Sequence, residues 1–145
     1  MTYTQSVKEW LMQCPAIRAD RIYFNYLSAG DRNQCFQTVE NSTSTEDILG
    51  NEIGKYTFAV IDFRSLTKNP LFRTSKDLDS LADAGQINEW LRAQRRARNF
   101  PAFDGAVVDD IEVPPEPVFA AEDKSEGMNL AKYMIQVVIH YTKFN

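Results

Sequence analysis

The segment from Gly127 to Phe144 constrains the fold of this chain more than any other. Apolar and aromatic side chains occupy every second position of it. These positions are Ala131, Tyr133, Ile135, Val137, Ile139 and Tyr141. Alternation of this length, rich in β-branched and aromatic residues, predicts a long strand with one buried face. We therefore expect a sheet that this strand completes.

Composition places the chain among globular proteins with one domain, residues 1–145. Of its 145 residues 43% are apolar and 25% are charged, and a chain of this size buries roughly 68–70% of its unfolded surface. The net charge of −4 disfavours a nucleic-acid-binding surface, which needs clustered Lys and Arg. No apolar run approaches the roughly 20 residues of a membrane span. For Cys14 and Cys35 we expect free thiols in a reducing compartment.

Hydrophobic periodicity predicts the other elements. Residues 7–14 carry one apolar helical stripe, and residues 22–27, 35–40, 53–64 and 107–113 are typical of strands. We expect an α+β fold, in which a mixed or antiparallel sheet of four to five strands packs against two to three helices.

The sequence leaves two alternatives open for one strand and indicates an interruption in one helical segment. The strand at 53–64 is apolar on both faces, so it is either covered on two sides or buried on one face by a partner. Residues 75–98 carry two helical stripes that point to opposite sides of a continuous helix. We therefore expect a break at Gly85, a poor helix former.

An acidic segment follows the helical region. Between Asp104 and Gly127 the chain has eight carboxylates and one base, Lys124, and three of its residues from 114 to 117 are prolines. Because proline cannot donate to a strand ladder, we expect an extended acidic loop or hairpin near residues 104–130.

No constellation for catalysis, metal binding or cofactor binding is readable in the sequence. His140 stands without a partner of ligand-like spacing, and the cysteines lack the paired spacing of zinc ligands. Asp109 and Asp110 are adjacent on a strand, so their side chains point to opposite faces and do not converge on one atom. We therefore expect no enzymatic activity and no cofactor.

The one basic cluster lies on the predicted second helix. Arg92, Arg95 and Arg96 project away from Trp90 and Leu91, which favours an exposed face. A phosphate contact and a contact to the acidic segment of another subunit are the alternatives.

Several strings of the sequence are similar to those of one protein family. They are Glu9–Pro15, Ile22–Leu27, Tyr56–Phe58, Asn88–Gln94, Asn99–Ala102 and Ala131–Gln136. On these strings, which span nearly the whole chain, the protein resembles the tail terminator proteins of long-tailed bacteriophages, also called tail completion or minor capsid proteins.

This resemblance implies a structural virion protein. Such a protein forms a homo-oligomeric ring, expected to have six copies, at the head-proximal end of the tail tube. The ring ends tube polymerisation and offers a joining surface to the head-completion or connector proteins. DNA passes through its channel without specific binding, and acidic residues lining that channel would keep the DNA from sticking. The protein is expected in the virion, and in the host cytoplasm during assembly.

For the ring we predict an interface between the arginine helix and the acidic segment of the adjacent subunit. Its charged residues are Arg92, Arg95 and Arg96 on one side and Asp109, Asp110 and Glu112 on the other. Tyr56 and Phe58 are the apolar candidates, because one face of their strand is available if a partner covers it.

Two alternatives come from other classes of protein. The first is another connector, such as a head–tail stopper or adaptor, or a tail-tube protein. The second is a small enzyme or ligand-binding α+β domain with Tyr23, Tyr26 and His140 around a pocket.

Overall fold

The computed structural model describes residues 1–18, 22–25, 33–39, 42–65, 73–123 and 130–145. These ranges contain two helices, α1 (Tyr3–Leu11) and α2 (Arg73–Ala97). They contain seven strands: β1 (Ile22–Phe24), β2 (Gln34–Thr38), β3 (Thr43–Glu46), β4 (Glu52–Ser65), β5 (Ala106–Glu112), β6 (Val118–Asp123) and β7 (Leu130–Lys143). The predicted α+β class with a mixed sheet is confirmed.

β4 and β7 form the centre of the sheet as a long antiparallel pair. Their register runs from Glu52 opposite Lys143 to Ser65 opposite Leu130, and each strand has 14 residues. The strand predicted from the alternation near the C-terminus is therefore confirmed. Its odd-numbered side chains from 131 to 141 are all buried, as the pattern predicts.

Short strands flank this pair on both sides. β2 and β3 share the outer edge of β4, whereas β5 and β6 share the outer edge of β7. β1 adds to β2 in parallel, and the other pairings are antiparallel. The sheet is thus five strands wide along the order β1-β2-β4-β7-β5.

The sequence prediction of four to five strands missed β3 and β6. β3 carries four polar, fully exposed side chains, so its sequence contains no alternating burial signal. β6 lies in the segment 104–130, for which an acidic loop or hairpin was expected. Besides β5, which matches the strand predicted at 107–113, that segment supplies a second strand, β6, and both pair with β7.

Both helices pack on the same face of the sheet. Val7 and Leu11 of α1 share one buried cluster with Ile87 of α2 and with Val137 and Ile139 of β7. A capping box between Thr2 and Gln5 begins α1. The indole of Trp10 donates a hydrogen bond of 2.9 Å to the carbonyl oxygen of Asn99, which ties α1 to the chain just after α2.

The opposite face of β4 is also buried within the chain. Ala59, Ile61 and Phe63 each expose 3% or less of their surface. Of the two alternatives for this strand, coverage on both sides is the correct one along these residues. A partner is not needed to explain its two apolar faces.

α2 is one continuous helix, so the break predicted at Gly85 is wrong. The prediction overlooked small and polar residues that join the two stripes. Among the residues of α2 whose side chains are described, 81–82 and 84–97, the buried ones are Ala84, Ile87, Asn88 and Leu91. Their spacing of i, i+3, i+4 and i+7 forms a single face, and its burial outweighs the cost of about 1 kcal/mol that a helical glycine carries relative to alanine.

Tyr141 lies in an aromatic cluster near the end of β7. Its ring covers Gly54, its direct partner on β4, where any Cβ would collide with the ring. The rings of Tyr3 and Phe103 contact it edge-on, with centroids at 5.0 and 5.6 Å. Its hydroxyl donates to a carboxylate oxygen of Glu52 at 3.3 Å. Burial first, then the charges of Glu52 and Tyr3, raise the pKa of Tyr141 to about 12.

Replacing Gly85 by alanine should stabilise the protein. A Cβ at this position has no atom within 4 Å, and alanine loses less conformational entropy than glycine when the helix forms. We expect the free energy of unfolding to rise by about 0.5–1 kcal/mol, measured by equilibrium urea denaturation. The control is Ala84→Gly at the buried neighbour, which should lower it. Lower stability of Gly85→Ala would contradict a continuous helix.

The stability of the protein should fall at alkaline pH through Tyr141. Since folding raises its pKa from about 10 to about 12, its contribution is fully present below pH about 10 and is lost as pH rises towards 12. Phenolate absorbance, taken as a difference against Tyr141→Phe, measures this titration. Glu52→Gln should lower the pKa of Tyr141 but leave it above the ordinary value, because burial is the larger cause. A titration at the ordinary value in the wild type would contradict the buried cluster.

Candidate subunit-contact surface

The last turns of α2 lie beside β5 and place the predicted arginine and acidic residues together. Arg95 donates two parallel hydrogen bonds to the carboxylate of Asp110, from Nε and from Nη2, both 3.1 Å long. Such a bidentate geometry is the strong form of an arginine–carboxylate contact. Both side chains stay about half exposed, so water screens the pair.

The contact shifts the titration of both groups. The hydrogen bonds from Arg95 hold the pKa of the Asp110 carboxyl below its ordinary value, and the backbone N–H of Ile111 contributes through a further hydrogen bond at 2.8 Å. Asp110 in turn raises the pKa of Arg95. The pair is therefore charged at neutral pH.

Asp109 and Asp110 bind different groups, but the pairing does not place them on opposite faces of the sheet as the sequence predicts. Asp110 is paired with His140, and Asp109 contacts Thr142, a residue of the same face of β7. Asp110 reaches α2, whereas a carboxylate oxygen of Asp109 accepts a hydrogen bond of 2.7 Å from the hydroxyl of Thr142. A register shift separates Val108 from Asp110 in the pairing with β7. The two carboxylates do not form a paired-acid site.

The neighbouring arginines, Arg92, Arg96 and Arg98, differ in whether they form hydrogen bonds or ion pairs within the chain. Arg92 donates to the carbonyl oxygen of Pro115 at 3.4 Å and lies 3.5 Å from Glu89. Arg98 donates to the backbone oxygen of Asp109 at 2.8 Å. Arg96 is exposed and forms no hydrogen bond or ion pair within the described part of the chain.

These contacts revise the interface predicted from the sequence. The arginine helix meets the acidic segment of its own chain, through Arg95 and Asp110, rather than only that of a neighbour. The contact to a neighbouring subunit stays a prediction. Arg96 is the member of the arginine group left for an external contact.

The apolar candidates Tyr56 and Phe58 belong to the interior. Phe58 has no exposed surface and stacks on Phe36 with centroids 5.2 Å apart. Tyr56 is partly buried, and its hydroxyl forms a hydrogen bond of 2.7 Å with that of Thr4. Neither ring offers a free face of the kind that a subunit contact needs, because their side of β4 faces the helices.

Glu112 and His140 lie together on the opposite face. A carboxylate oxygen of Glu112 is 3.4 Å from Nε2 of His140, and the acid is the more exposed of the two. Of the ligand pocket considered around Tyr23, Tyr26 and His140, the two described residues lie apart. Tyr23 packs near Met134, six residues from His140 or about 20 Å along β7, and Tyr26 lies outside the described residues.

Other chemistry is sparse in the described ranges. They hold no group of three or more His, Cys, Asp or Glu side chains that could bind a metal ion. Cys14 and Cys35 are buried free thiols. Neither described helix combines the length and the apolar character needed to cross a membrane.

Sequence reasoning missed two surface features. The tip of the β3–β4 hairpin exposes Ile48 completely and Leu49 by 74%. A groove of about 600 Å³ runs between α2 and the β5–β6 connection, and Asn88 in its wall has a buried Oδ1 without a hydrogen-bond partner among the described residues. The signal for the first feature was two adjacent aliphatic residues between Asp47 and Gly50.

No known protein family matches this sequence, and no curated protein is detectably similar to it. The functional assignment therefore rests on the residues themselves and on the resemblance of the sequence strings described above.

The pairing of Arg95 with Asp110 predicts the titration of that carboxyl. Measured by NMR, the pKa of Asp110 should lie below the ordinary value of about 3.9, so the stabilising contribution of the pair persists to acid pH and disappears only as pH falls through the lowered pKa. In Arg95→Gln the pKa should return towards the ordinary value. Arg96→Gln is the matched control and should leave it lowered. Equal effects of both variants would contradict the specific contact.

Proposed function

We propose that the protein is a structural subunit that assembles with copies of itself into a ring. The family resemblance implies six copies in this ring. In this proposal the ring caps the head-proximal end of a phage tail tube, ends its polymerisation and joins it to the head-completion proteins. The chain then acts in the virion, after assembly in the host cytoplasm.

The observation that carries the proposal is an exposed apolar surface at one end of the sheet, which we call the end surface. Each of its members exposes 49% or more of its surface; they are Ile48, Leu49, Ile53, Val107 and Phe144. Ile53 and Val107 lie on the same face of the sheet, one on each side of Thr142, with which both are paired. Exposed apolar residues that cluster in this way mark protein contacts rather than solvent-facing sheet.

The distribution of charge supports a partner with a defined orientation. Arg96 is exposed at the C-terminal end of α2, while acidic side chains predominate beside the end surface, with Glu46 and Glu52 at the base of the hairpin. Two different patches on one subunit suit a head-to-tail contact, which closes into a ring when the rotation between neighbours is right. Complementary charge would set orientation more than affinity.

The same charges bear on the channel. With a net charge of −4 per copy, a ring would repel the DNA backbone unless its basic residues lined the lumen. We propose that the lumen is acidic and that DNA passes without specific binding.

A tube-growth assay tests the function. The tail-tube protein encoded with this chain is polymerised in its presence, and tube lengths are measured by electron microscopy. We expect growth to stop with a ring at one end of each tube. Arg96→Glu should weaken capping and lengthen the tubes without changing the unfolding curve, because Arg96 forms no contact within the described chain. Arg18→Glu is the control of equal charge change, because the exposed Arg18 side chain forms no hydrogen bond or ion pair within the described residues.

Other outcomes would replace this function. Long tubes formed by the isolated protein would identify it as a tube subunit. Rings that bind heads but leave tube growth unaffected would identify a connector of the stopper or adaptor type. A bound metabolite that copurifies with a monomer would support a ligand-binding domain instead.

A further inference from the structure

The tip of the β3–β4 hairpin is an apolar knob, formed by Ile48 and Leu49. The side chain of Ile48 is fully exposed and that of Leu49 is 74% exposed. Two adjacent aliphatic side chains in water cost free energy that burial against a partner would recover. Within the described chain nothing covers them.

The knob is held rigidly despite its exposure. Asp47 Oδ1 accepts hydrogen bonds of 2.9 Å from the backbone N–H groups of both Leu49 and Asn51. The backbone N–H of Asn145 donates to Asn51 Oδ1, also at 2.9 Å, and Gly50 turns the chain with φ of +81°. A preformed tip loses little conformational entropy when it binds.

The groove beside α2 has the shape and lining to receive an apolar knob. Its volume is about 600 Å³, and its walls are formed by residues of α2 and of the proline-rich β5–β6 connection. Its apolar and small members are Leu81, Ala82, Gly85, Pro115 and Pro117. Gly85 has no side chain to occupy the groove. A Cβ at this position would meet no atom within 4 Å, so packing inside the chain does not require the glycine.

The charges around knob and groove are complementary at one end. Glu46 and Glu52 flank the base of the knob. Pro115 is shared between the groove and an adjoining depression of about 320 Å³ that contains Arg92 and Arg96. Glu89 and Glu116 also lie at the groove, and Arg92 lies 3.5 Å from Glu89. When the knob enters the groove, Glu46 and Glu52 can therefore face the depression that contains Arg92 and Arg96.

A chain cannot place its knob in its own groove. The knob extends beyond Lys143, the last paired residue of β7. The β5–β6 connection passes β7 between Val138 and Met134, which is five to nine residues, or about 17–30 Å, away along the strand. Any contact between the two must therefore join different copies.

We infer that the Ile48–Leu49 knob of one copy docks into the α2 groove of a second copy, and that this contact repeats head to tail. The inference rests on the proposed ring and names the surfaces that would join its subunits. It also gives Gly85 a role: the glycine keeps open the space that the knob of the neighbour fills.

Site-directed cross-linking tests the contact even if association is weak. A chain with Leu49→Cys and Ala82→Cys is treated with a short bismaleimide, and the products are separated under denaturing conditions. Native Cys14 and Cys35 are buried and should not react. We expect a ladder of covalent oligomers that ends at the closed ring. The control pair, Thr38→Cys with Ala82→Cys, uses an exposed residue of β2 outside the end surface and should give no ladder. Absence of a ladder from the test pair would overturn the inference.

Complementation provides a second, independent readout. Ile48→Ser/Leu49→Ser removes the knob but keeps the groove, whereas Gly85→Leu fills the groove but keeps the knob. Neither variant should associate alone, and their mixture should form dimers and nothing larger, measured by analytical ultracentrifugation. Val118→Ser, at an exposed aliphatic residue outside knob and groove, and Ala97→Leu are controls that should associate like the wild type. Knob and groove variants that associate like the wild type would overturn the inference.

The outcomes separate this contact from the proposed function. Rings on tails without the 49–82 cross-link would overturn the contact and leave the function standing. A cross-linked ladder from a protein that never caps tubes would support the contact and reject the function. A knob that cross-links only to the tail-tube protein would assign the tip to that partner and overturn the inference.

Discussion

The register between β4 and β7 is the constraint on which the rest of the structure depends. Fourteen residues of each strand are paired, and every other strand except β1 attaches directly to one of the two. Because side chains alternate with a period of two, a slip of one residue would turn Ile135, Val137 and Ile139 away from the helices. It would also separate Gly54 from Tyr141, whose ring occupies the space where a Cβ would otherwise lie.

The sequence predicts those parts of the fold in which buried apolar residues form a recognisable pattern along the chain. β7 was predictable because its apolar positions alternate, and β4 because its run of apolar and aromatic residues is typical of a buried strand. β3 was not predictable, since its four exposed polar residues are held by pairing with β4. The break predicted in α2 failed for a related reason. Ala84 and Asn88 are buried on the same face as Leu91, but neither is apolar and large enough to mark that face in the sequence.

The candidate site was only partly predictable, because charge identifies possible partners but not the chain that supplies them. Arg95 and Asp110 were both named from the sequence, yet their bidentate contact lies within one chain. That outcome follows from β5 lying beside the end of α2, which depends on long-range pairing with β7. Phe58 was proposed as an apolar interface residue and is buried within its own chain. The hairpin tip escaped notice because Ile48 and Leu49 resemble core residues until the fold leaves them in solvent.

The outer boundary of β7 has a consequence for how copies of this protein can meet. It is occupied by two short strands, β5 and β6, with three prolines between Val113 and Val118, and each strand is interrupted by a shift in register. This interrupted sheet edge offers no long row of free amide and carbonyl groups to a neighbouring chain. Growth by adding strand to strand, which yields ribbons of unlimited length, is thereby discouraged along this side. A subunit built in this way is suited to assemblies of fixed number.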